Sequence, residues 1–286
     1  MIFGCYYLME IPVGLQNEMI YSHDSSLRSN TTQNQTKCRV CLGLGEFRYN
    51  LMFSATRWMS VAVCLPSGFV IDKLGNGRSA VLFSTLLFLG SVVFAVGATT
   101  QAPVSTPVYL LMLMGYASLA FGDASLRFVQ ARVISHCFPE ATLSALAVSV
   151  LGYIGEAISL YITPIVATTT GVQTAVWLGP AACGIGVFFA IGLAILIQVQ
   201  THTIAEDKES KNIMSVSVLK SLPRTYWLFM FTVSFTAACW MVKQANLPDY
   251  LEWRHGYSML DASHIVAISP SIYLSCPLFC LVLISH

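Results

Sequence analysis

The feature that most constrains this chain is a series of long apolar runs almost free of charge. Residues 79–99 and 174–198 hold no Asp, Glu, Lys or Arg at all. About 20 apolar residues in a helix cross a bilayer, and lipid offers an open backbone no other partner. Reading such runs along the sequence gives spans at 50–71, 79–99, 106–134, 142–168, 174–198, 226–247 and 261–285. Residues 1–16 (MIFGCYYLMEIPVGLQ) are shorter and are interrupted by Glu10 and Pro12, so they read as the second half of a first helix rather than as a signal peptide. The expected fold class is all-α, a polytopic membrane protein with eight spans. Composition agrees: 10% of the 286 residues are charged, against about 25% in an average soluble domain, and mean hydropathy is +0.66. A soluble enzyme and a disordered chain are excluded. The formal net charge of +1 gives no electrostatic basis for a nucleic-acid partner.

The polar stretches orient the chain. Residues 17–49 carry two N-x-[ST] sequons, at Asn30 and Asn34, which place this loop on the lumenal side as a glycosylation candidate. Cys38 and Cys41 in the same loop form a C-x-x-C pair with no second pair to complete a zinc site, so they read as a local disulfide or two idle thiols. Alternation then makes 72–78, 135–141 and 199–225 cytosolic, and 100–105, 169–173 and 248–260 lumenal, the last a solvated lid. Basic residues do not arbitrate, with seven on one side and six on the other. The charged segment 199–225 follows six spans and precedes two. The expected organisation is a six-helix bundle over 1–198, a linker over 199–225, and two helices of a second bundle over 226–286.

The turn after the second span reads Gly68-Phe69-Val70-Ile71-Asp72-Lys73-Leu74-Gly75-Asn76-Gly77-Arg78. Gly68 is expected to permit close helix approach, Asp72 to meet a helix N-terminus or a basic side chain, Lys73 and Arg78 to anchor at the interface, and Gly75 and Gly77 to permit a tight turn. The pattern and its position resemble the signature loop of the major facilitator superfamily. The resemblance implies the major facilitator fold, with about eight of its twelve helices present, and a cytosolic gate at this cluster. Gly4-Cys5-Tyr6-Tyr7-Leu8-Met9-Glu10-Ile11-Pro12 and Trp58…Cys64…Gly68, with later pieces such as Ser125-Leu126, Ser221-Leu222-Pro223 and Gly256-Tyr257-Ser258, resemble the major facilitator superfamily domain-containing protein 1 group. That resemblance implies a uniporter moving dipeptides across the lysosomal membrane, with a glycosylated accessory membrane protein as partner. In span four the group has a glutamate before Ser-Leu; here Ala124 stands there, and Asp123 precedes it.

Ionisable groups inside a membrane are costly and face a cavity or each other. Five are present: Glu10, Arg57, Asp123, Arg127 and Glu156. All lie in spans one, two, four and five, which line the cavity in the superfamily, so they are the candidate substrate-binding residues. A zwitterion needs both signs: Glu10, Asp123 or Glu156 for an ammonium, Arg57 or Arg127 for a carboxylate. The alternatives are that Asp123 and Arg127, four residues apart, neutralise each other, that Arg57 snorkels to the interface, and that Glu156 is a protonation site. Tyr6, Tyr7, Trp58, Gln130, Tyr153 and His264 are weaker candidates. No Walker loop, nucleophile triad or metal-ligand set is present in the sequence, so neither an enzyme nor a cofactor is expected. The expected function is alternating-access transport of a small polar solute, with an amino-acid or other organic-solute carrier, or a non-transporting receptor-like or scaffold protein, as the alternatives. One bundle and two helices are not expected to transport alone.

Overall fold

A computed structural model describes residues 2–20, 42–100, 104–137, 141–203 and 223–284. The sequons at Asn30 and Asn34, the Cys38/Cys41 pair and most of the 199–225 linker lie outside these described residues. Each apolar run forms a helix: α1 (Ile2–Gly14), α2 (Gln16–Ile20), α3 (Gly45–Leu74), α4 (Asn76–Thr100), α5 (Thr106–Cys137), α6 (Ala141–Thr170), α7 (Val172–Thr203), α8 (Arg224–His255) and α9 (Met259–Ile284). Among the described residues, α4, residues 106–134 of α5 and residues 172–199 of α7 are long and apolar enough to cross a membrane. Their outward faces are greasy: Phe188 is 77% exposed and Met114 70%. Such faces suit lipid, not water.

Two connections differ from expectation. The turn expected over 72–78 shrinks to one residue: Gly75, at φ 82°, ends α3 and passes the chain directly into α4, its N–H bonding the Ile71 carbonyl at 2.9 Å. Only a residue without a Cβ adopts that φ cheaply. The lid expected over 248–260 is mostly helix. α8 runs through Pro248 to His255 and stops at Gly256, which is left-handed at φ 69° and donates to the Glu252 carbonyl. Proline is tolerated within membrane helices because neighbouring groups re-satisfy the freed carbonyl; here that carbonyl belongs to Gln244.

α4 packs on α5 and α7, α1 lies against α6 and α7, α3 against α5, and α9 against α6. Bare backbone makes the tightest of these contacts. A Cβ on Gly90 would lie 2.7 Å from the Leu119 nitrogen, and one on Gly155 2.7 Å from the Phe3 carbonyl. The Ser159 hydroxyl donates to the Tyr7 carbonyl at 2.7 Å, fixing α1 against α6. One large apolar cluster joins α1, α3, α4, α5 and α7. A second, of Val13, Leu160, Val266 and Ala267, joins α9 to α1 and α6. The end of the molecule at which α2 lies is the sequon end, and the end carrying Gly75 is the motif end.

Candidate functional site

Between α1, α3, α5 and α8 lies a cavity of about 150 Å³, lined among others by Glu10, Arg57, Tyr116, Gln244 and Asn246. α1 brings Glu10 to it and α3 brings Arg57, so opposite charges share one space. Glu10 Oε2 is buried and has no hydrogen-bond partner. In a low-dielectric pocket such an acceptor is costly to leave unmet. Glu156, on α6, accepts a hydrogen bond from Gln244 Nε2 at 2.9 Å. Gln244 is 4% exposed, and its own Oε1 has no partner.

Asp123 and Arg127 do not line this cavity. They neutralise each other along α5: Arg127 Nε donates to both Asp123 oxygens at 3.1 Å, and a third contact, from a terminal guanidinium nitrogen to Oδ2, is 3.0 Å. The guanidinium also lies 4.1 Å from the centre of the Tyr6 ring, a cation–π contact. The structure thus brings Glu10 and Arg57 together, links Glu156 to Glu10's cavity through Gln244, and holds Asp123 and Arg127 as a separate pair.

At the motif end, Asp72 accepts from Arg132 of α5 at 2.7 Å. Lys73 and Arg78 are exposed. The two flanking glycines differ from expectation. Gly68 faces open space, with nothing within 4 Å of a Cβ built there. Gly77, expected to serve the turn, is instead a contact point: its Cβ would lie 3.2 Å from the Ala194 Cα of α7. The close approach belongs to the start of α4, because the one-residue connection carries Gly77 into the helix. Among the weaker candidates, Trp58 is 77% exposed, Gln130 Nε2 is buried without a partner, and His264 stacks on Tyr161 with ring centres 4.0 Å apart. Sequence reasoning missed Gln244 and Arg132. Gln244 is an uncharged polar residue within an apolar span, and that was its only signal.

The all-helical fold, with three described helices long and apolar enough to cross a membrane, and the signature turn fit a polytopic membrane protein. The profile of the Major Facilitator Superfamily matches residues 13–285, and the chain belongs to that family of transporters of small molecules. The chain is similar to the lysosomal dipeptide transporter MFSD1 of Pongo abelii, with 22% identity over 284 residues, 93% of this chain and 55% of the relative. The same transporter of Homo sapiens is 22% identical over the same shares, and that of Mus musculus 26% identical over 129 residues, 45% of this chain and 22% of the relative. The chain thus spans about half the length of the first two, at 55%. No solved structure matches it.

Proposed function

We propose that this chain is the solute-binding part of a secondary transporter for small zwitterions, dipeptides being the preferred class, at the lysosomal membrane. The observation that carries the reading is Glu10 and Arg57 on one cavity. Arg57 offers a carboxylate a planar, bidentate partner, and Glu10 presents an unsatisfied buried oxygen to an ammonium. Asp123 and Arg127 then serve the site by holding α5, and Glu156 by holding Gln244. The 68–78 cluster, with Asp72 tied to Arg132, is the motif-end gate as α8 and α9 rock against the other helices. The dipeptide class and the lysosomal membrane rest on the distant relatives, and an accessory glycoprotein partner rests on the family resemblance alone.

The test is binding of radiolabelled L-alanyl-L-alanine to the purified chain in nanodiscs. Glu10→Gln and Arg57→Gln are each expected to weaken binding about tenfold or more, the loss of one charge-assisted contact. Binding unchanged in both variants would overturn the assignment of the cavity.

A further inference from the structure

We infer that Gln244 is the second acceptor for the solute's ammonium, and that Glu156 acts as a positioning residue by orienting Gln244. The inference rests on the zwitterion reading above and deepens it. A carboxylate only accepts, so the Gln244 amide nitrogen must face Glu156, as the 2.9 Å contact has it. That fixes the direction of the rest of the group. Gln244 Oε1 is turned away from Glu156, is buried, and has no partner. The Glu10 side chain is itself hydrogen-bonded to Gln244, but its Oε2 is buried and unpartnered, and both side chains line the same cavity.

Two buried oxygens without a donor, on one cavity, ask for a ligand that donates at least twice. A primary ammonium has three N–H donors and a positive charge for Glu10. A carboxylate or a hydrophobic group supplies neither. Arg57, on the same cavity, carries the charge that complements the carboxylate end of the solute. The two acceptors sit on different helices, Glu10 on α1 and Gln244 on α8. An amine that bridges them therefore ties α8 to α1. Gln244 is then a specificity-determining residue: it separates solutes with a free amine from those without one.

The test uses the chain in nanodiscs with three probes: L-alanyl-L-alanine, its N-acetyl derivative and its C-terminal amide. The wild type is expected to prefer the free amine over the N-acetyl probe by about tenfold or more, as for one charged hydrogen-bonding group. Gln244→Leu is expected to bring that preference below about threefold while leaving the preference for the free carboxylate over the amide in place. Glu156→Leu should reproduce the loss. Glu156→Gln, which still offers an oxygen to the Gln244 amide nitrogen, should restore most of the preference. If Gln244→Leu does not fold, Gln244→Met replaces it, and the two Glu156 variants decide alone should both fail. A Gln244 variant that keeps the amine preference overturns the inference while the zwitterion reading stands. So does a Glu156→Gln that loses as much as Glu156→Leu, since Glu156 would then bind the ammonium itself. A wild type blind to the amine, as when a water satisfies both oxygens, overturns both readings.

Discussion

Asp123 and Arg127 show how a single residue's charge can be structural while lying next to a site. Removing one partner of a buried pair costs about 3–5 kcal/mol because the other is stranded. Here the Arg127 side chain is 39% exposed against 6% for Asp123, so Asp123 is the partner more costly to strand, and Arg127 the one that remains when Asp123 is replaced. Asp123→Leu should therefore lower the melting temperature in detergent more than the double variant Asp123→Leu/Arg127→Leu does. A double variant that melts below the single one would show the pair to be attractive in itself rather than merely mutually neutralising. This pairing was legible in the sequence, because residues four apart share a helix face. Asp72's need for a basic partner was legible as well, but the identity of Arg132, 60 residues away, was not. The Gln244–Glu156 bond spans 88 residues. An amide in an apolar run carries no charge to announce it, so sequence pattern alone had no means to join the two.

At the scale of elements, the helices were readable wherever apolar length decided them, and their ends were misread wherever glycine and proline decided them. The span expected over 226–247 instead continues as α8 through Pro248 to its glycine cap at Gly256. Gly68 looked like a contact, yet it borders open space, whereas Gly90 and Gly115 hold α4 against α5: a Cβ on Gly115 would lie 2.7 Å from the Phe94 nitrogen. Periodicity places a glycine on a helix but does not say which face meets a neighbour. The contrast predicts unequal outcomes for similar changes. Gly90→Val or Gly115→Val should abolish a monodisperse peak on size exclusion, because backbone atoms, unlike side-chain tips, have nowhere to move. Gly68→Ala should leave the peak intact and raise the melting temperature slightly, alanine being the better helix former by about 1 kcal/mol. Collapse of Gly68→Ala would restore the close-approach reading of the signature turn.

At the scale of the molecule, α8 and α9 meet the earlier helices mainly near the sequon end. Gln16 Oε1 accepts from the Asp249 N–H at 3.3 Å, the Ser263 hydroxyl donates to the Gly14 carbonyl at 3.5 Å, and the smaller apolar cluster lies beside them. Toward the motif end α8 turns Trp227, Phe229 and Phe231 outward, at 50%, 64% and 73% exposure. A Gln16→Cys/Asp249→Cys pair should therefore be bridged readily by a short bis-maleimide without reducing dipeptide binding in nanodiscs. Failure to cross-link would mean that the sequon end is open. The place of α1 has a consequence in time as well as in space. The bond from Ser159 to Tyr7 joins residues 152 apart, so the helix that carries Glu10 is synthesised long before α6, one of the surfaces that hold it. At roughly 5–20 residues per second, α1 waits roughly 8–30 seconds for α6. Until Ser159 is made, α1 is held by partners nearer in the chain, such as Tyr49 of α3, whose hydroxyl donates to the Pro12 carbonyl at 3.0 Å.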